Sequence, residues 1–222
     1  MLILNIDIMP NWSATNYCCS GSREELQEFC DMVNSLPNRE DVSPNGFGKY
    51  WLGNLVSLLG ADWEKVFCRG TLNPDASACA CFCGPSGSGN GVDMVIGEDG
   101  CVRFSTETAW EQSKDFEELL CERFPSFELA YRSTDEFGNF HTIHDPQKRL
   151  GFQKYEVYAD DLCEVYTDDE QEAVAAILRL AGLNPDDYPG ISFSRAEELT
   201  EEWRTEAADR DVYVELIQWE EE

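Results

Sequence analysis

The chain is short of cations and nearly devoid of histidine. Sixteen Lys and Arg stand against 44 Asp and Glu, with 2 His, for a formal net charge of -28. Binding nucleic acid through its phosphates needs a basic surface, so direct nucleic-acid binding is not expected. The same balance suits a basic partner protein, or mimicry of a nucleic-acid surface that occupies a DNA-binding protein. No uninterrupted apolar run approaches the roughly 20 residues that span a bilayer, so no membrane partner is expected. The opening MLILNIDI is apolar but short, lacks a basic n-region and contains Asp7. It does not read as a signal peptide, which places the protein in the cytoplasm. Ten cysteines are then expected as reduced thiols, several of them small core hydrophobes, as for Cys30 and Cys121 within amphipathic helices.

The best-patterned stretch runs from Cys101 to Arg132. Val102, Phe104 and Thr106 alternate with Arg103, Ser105 and Glu107, the period of a strand with one face buried. After Trp110 the period changes, and Phe116, Leu119, Leu120 and Phe124 recur at three and four, giving one apolar helical stripe. Ser113 can cap that helix and Pro125 stops it. Phe127, Leu129 and Tyr131 alternate again, so a strand, a helix and a strand follow one another and predict two parallel strands with the helix on one face.

A second strand-to-helix unit lies upstream: a strand over 15–20, then Ser22 and Glu25 as a capping box before Leu26, Phe29, Cys30 and Val33. Helical spacing recurs over 50–59, an extended pattern over 63–72, and a hairpin is predicted around Asp99-Gly100. Farther on, a second hairpin turns at Gly138-Asn139, and 153–158 reads as a strand. Thr167 with Glu170 and Ser194 with Glu197 form capping boxes for two more helices, the first ended by Gly182, and 212–219 alternates as a final strand. Residues 159–222 hold 20 acidic residues against 4 Arg, so any electrostatic role is expected there.

With those elements placed, the chain resembles a phage- and plasmid-borne bacterial family of unknown function, the YubB-like proteins, whose members carry a ferredoxin-like domain. The similarity lies in Met9-Pro10-Asn11-Trp12 with Asn16 and Ser20-Gly21, in Arg69-Gly70-Thr71, and in Thr108-Ala109-Trp110 followed by a helix ending Arg123-Phe124-Pro125. Leu72 and Asn73 stand where the family has Lys and Trp, and Glu111-Gln112-Ser113 replaces its Ser-Pro-Pro. The resemblance covers roughly residues 9–145 and implies an α+β fold: a ferredoxin-like antiparallel sheet with helices on one face, built from 15–20, 22–35, 65–72, 101–108, 112–124 and 127–133. The expected domains are 1–158, with 1–8 either a leader or an added strand, and an acidic α/β extension over 159–222. Because the family has no established activity, its contribution is to fold rather than to function.

Few constellations carry chemistry. Cys79, Cys81 and Cys83 with His141 and His144 supply zinc-ligand types, but structural zinc sites use C-x2-4-C knuckles, and the bland reading is a strand or loop of small residues with two histidines on a polar hairpin. The glycine-rich run 84–91 is followed by Val92 and Asp93 instead of the Lys-Ser/Thr that closes a phosphate loop, so no nucleotide cofactor is expected. No cysteine is matched to a histidine in sequence, and no pair of carboxylates stands out as acid and base. Tryptophans such as Trp110 are expected in core or boundary packing, with Trp203 or Trp219 as partner anchors if exposed. The function expected is a non-enzymatic cytoplasmic accessory protein of a mobile element that acts through protein contacts. The alternatives are the nucleic-acid mimic and a metalloprotein or enzyme using the Cys/His cluster.

Overall fold

The computed structural model describes residues 11–41, 48–66, 70–73, 93–110, 112–136, 141–151, 153–159, 162–206 and 214–221. They fall into two compact units that divide between Leu150 and Gly151. The chain is α+β, with an antiparallel sheet in each unit.

The first unit contains, in order, β1 (Trp12–Ser20), α1 (Arg23–Ser35), α2 (Leu52–Leu58), β2 (Gly70–Asn73), β3 (Val102–Ala109), α3 (Lys114–Arg123), β4 (Glu128–Asp135) and β5 (His141–His144). These five strands lie in the order β2-β3-β1-β4-β5, and every neighbouring pair is antiparallel. The strands on either side of α3 are therefore parallel to one another, with β1 between them. All three helices cover one face. Leu26, Phe29, Cys30 and Val33 of α1, Leu52, Leu55 and Val56 of α2, and Phe116 and Leu120 of α3 share one buried cluster with Tyr17, Phe104 and Tyr131 of the sheet. Phe29 sits at its centre, with ring centroids 5.4 Å from Phe104, 5.9 Å from Phe124 and 5.7 Å from Phe127.

Local chemistry fixes the joints. Ser22 caps α1 by accepting from Glu25 N at 3.3 Å. The reciprocal half of the expected capping box is absent, because the Glu25 carboxylate accepts from Ser126 N at 3.0 Å and Ser126 Oγ at 2.7 Å. Ser126 Oγ in turn accepts from Ser22 N at 2.7 Å. The start of α1 is thus tied to the turn after α3. Ser113 occupies the cap position of α3 without a side-chain cap bond, and its carbonyl accepts from Phe116 N and Glu117 N. The extended pattern expected over 63–72 is shorter in the structure. Lys65 N closes a turn on Asp62 O, and the described strand begins at Gly70. A Cβ at Gly70 would lie 2.0 Å from Glu107 O, so a side chain would push β2 off its partner.

The second unit contains β6 (Tyr155–Ala159), β7 (Leu162–Thr167), α4 (Glu170–Leu180), α5 (Phe193–Glu206) and β8 (Val214–Gln218), with sheet order β7-β6-β8. β6 pairs on both edges within this unit, so the boundary falls before it rather than at residue 158. Tyr155, Val157, Val174, Ile177 and Phe193 form its core. The cap of α4 is Asp169, which accepts from Gln171 N and Glu172 N; Thr167, the residue expected there, donates to Glu172 Oε2 at 2.7 Å instead. Gly182, at φ 74, ends that helix as expected: Leu183 N reaches Leu178 O and Gly182 N reaches Arg179 O, the two bonds of a Schellman turn. Helix α5 starts earlier than Ser194. Ser192 caps it, its Oγ accepting from Arg195 N at 3.3 Å.

Candidate functional site

Cys79, Cys81, Cys83 and the glycine-rich run 84–91 lie outside the described residues. His141 and His144 are on β5, three residues apart, and successive strand residues point to opposite faces. His144 is in register with Tyr131 and stacks on its ring at 5.4 Å, on the helix-covered face. His141 is in register with Thr134, whose Oγ1 lies 3.0 Å from His141 Nδ1, on the other face. The two imidazoles therefore do not converge on one ion. No group of three or more His, Cys, Asp or Glu is placed to hold a metal among the described residues.

Cys18, Cys19, Cys30, Cys101 and Cys121 are free thiols; the first four are buried as expected, whereas Cys121 is exposed. Burial pushes the Cys18 thiol up to about 12 and Cys30 up to about 11. Such thiols stay protonated at neutral pH and are poor nucleophiles.

The densest polar chemistry lies where sequence alternation alone suggests core. On the covered face, the row Phe104, Tyr17, Tyr131 and His144 is followed by Thr106, Thr15, Ser133 and Thr142, and then by Thr108, Ser13 and Asp135. Ser13, Thr15, Thr106, Thr108, Ser133 and Asp135 are all buried. Ser133 Oγ links Ser13 Oγ at 3.0 Å and Thr15 Oγ1 at 2.9 Å. Tyr17 donates its hydroxyl to Glu117 Oε1 at 2.7 Å, Gln112 Nε2 donates to the same oxygen at 3.3 Å, and Thr142 Oγ1 donates to Gln112 Oε1 at 3.4 Å. Asn11 Nδ2 donates to the Asp135 carboxylate. Burial first, and the Glu117 charge second, hold the Tyr17 phenol well above its ordinary value. Tyr17 is therefore a fixed neutral donor. Thr106 Oγ1, in a residue 1 % exposed, has no hydrogen-bond partner among the described residues. The arrangement orders protons and fixes side chains, and the hydroxyl–imidazole pair of Thr134 and His141 lies on the opposite face of the sheet.

Two tryptophans sit in opposite environments. Trp219 is buried, its Nε1 donating to Glu156 Oε1 at 3.0 Å, while Tyr158 donates to Glu156 Oε2 at 2.6 Å. It is a hydrogen-bonded core residue and not a partner anchor, and nothing in the alternation of β6 marks Glu156 as buried. Trp110 is 47 % exposed, at the boundary of the fold and outside its core. Its φ of 78 puts a bulky residue in the left-handed region, which costs a non-glycine residue roughly 1–2 kcal/mol. Its N–H donates to Asn11 O at 2.6 Å. The side chain of Trp203 lies outside what is described. Neither hydroxyl row was singled out from sequence; the signal was parity, since Thr106 follows Phe104 and Ser133 follows Tyr131 on the same face.

No protein-family model, curated protein or solved structure matches the chain.

Proposed function

We propose that the chain is a non-enzymatic accessory protein that acts in the cytoplasm through contact with a basic partner protein. The observation that carries this is the charge: 44 carboxylates face 16 Lys and Arg, a net charge of -28. Several of the available cations are already engaged in surface pairs, including Arg103 with Asp99 and Arg149 with Glu128. The surplus attracts a basic surface and speeds its approach. A strand order of β4-β1-β3-β2 with a helix after β1 and after β3 supports the ferredoxin-like reading of the first unit. Kinship with the YubB-like proteins, and with it an origin on a mobile element, is part of this proposal and rests on the sequence at Thr108-Ala109-Trp110 and Arg123-Phe124-Pro125. The protonated thiols and the separated histidines favour contact over catalysis.

The test is affinity capture by the full chain at roughly 0.1 M and 1 M salt, over which the Debye length shrinks from about 10 to about 3 Å. A basic protein retained at the lower salt and released at the higher is the expected result. Stoichiometric metal by elemental analysis, lost on substituting Cys79, Cys81 and Cys83, would contradict it.

A further inference from the structure

Trp110 is the outlier among the described tryptophans. Trp51 and Trp219 are buried, and Trp51 packs edge to face on Trp63 at 4.9 Å. The Trp110 ring is half exposed and makes no aromatic contact among the described residues. Its position is nevertheless fixed. At one end of the first sheet, Trp110 N donates to Asn11 O at 2.6 Å on one flank of β1, and Glu136 N donates to Trp12 O at 2.8 Å on the other. Helix α3 begins four residues beyond Trp110. Among the described residues of the first turns of α3 and the end of β4, Asp115, Glu118 and Glu136 are exposed acidic side chains and Lys114 is an exposed cation.

We propose that Trp110 anchors a docking surface for a basic segment of a partner protein, with an Arg or Lys side chain lying on its ring among Asp115, Glu118 and Glu136. The assignment rests on the basic-partner reading above and gives that reading a place. An indole face is the best aromatic acceptor for a cation, and neighbouring carboxylates add to the attraction. A second copy of this chain, or a nucleic acid, carries the wrong charge for the same surface. Holding a large ring half in water, on a left-handed backbone where glycine would be easier, is poor design for packing. It is good design for presenting the ring.

The probe is a fluorescently labelled peptide alternating arginine and glycine, titrated into the full chain and followed by anisotropy at roughly 0.1 M salt. Trp110→Gly removes the ring while suiting the positive φ, and is expected to weaken binding about tenfold. Trp110→Asn, which also tolerates that backbone, should do the same, and Trp110→Phe should weaken binding less. Replacing Asp115, Glu118 and Glu136 together with their amides should weaken it and flatten its salt dependence. If the unaltered chain binds the peptide and both ring-deleting variants bind as tightly, the anchor assignment is overturned while the basic-partner reading stands. If the unaltered chain shows no salt-sensitive binding, both are overturned.

Discussion

The two ends of the covered face of the first sheet are equally buried and chemically opposite. At one end Phe29 meets Phe104, Phe124 and Phe127, and the interaction is close packing of rings. At the other, Ser13, Thr15 and Ser133 are joined by hydroxyl hydrogen bonds, and Tyr17 bridges the two by stacking on Phe104 at 4.8 Å while donating to Glu117. Burial alone therefore says little about what holds a region together. The aromatic end is stabilised by area and fit, whereas the hydroxyl end offsets desolvation with hydrogen bonds and contributes less per residue.

Substitutions can break this contrast. Phe29→Ala should cost about 3–5 kcal/mol of unfolding free energy, because a fully buried ring leaves a cavity among three others. A loss under about 1 kcal/mol in urea melts would mean that the aromatic end is loosely packed. Tyr17→Phe keeps the stacking and removes the bond to a carboxylate, so a loss of about 1.5–3 kcal/mol is expected. An unchanged midpoint would show that the hydroxyl end does not depend on it. Thr106→Val replaces a hydroxyl that has no hydrogen-bond partner among the described residues with a methyl of nearly the same shape. Stability should stay level or rise by up to about 1 kcal/mol, and a clear loss would reveal a partner such as an ordered water.

The smallest effect concerns the other face. Burial holds the Glu107 carboxyl above its usual range, so the folded chain binds that proton more tightly than the unfolded chain does. The charged form then subtracts stability as pH rises through the carboxylate range. Glu107→Gln should stabilise at about pH 7 and change nothing at about pH 3, below both carboxyl values. Equal effects at the two pH values would refute the burial explanation.

Much of the fold was legible. The period changes around Trp110 placed β3, α3 and β4 to within a residue or two, because a half-buried strand and an amphipathic helix leave different spacings in a short window. What failed depended on choices among equivalent donors and acceptors. Asp169 and Ser192 cap helices assigned to Thr167 and Ser194, since all four can cap and only the chain path selects one. Glu25 has the spacing of a capping box but finds Ser126, which is 101 residues away in sequence. The candidate sites were less legible than the fold. Alternation puts Thr106 on the buried face with Phe104 but does not encode which hydroxyls there find one another, and no spacing encodes the left-handed backbone of Trp110.

Amide hydrogen exchange of the full chain, with and without the arginine-rich peptide, tests the surface assignment most directly. Slowed exchange is predicted from about Thr108 to Glu118 and at Glu136, the end of the sheet that carries Trp110. Protection confined to residues 151–221, the more acidic part of the chain, would place the contact in the second unit and contradict the assignment to Trp110.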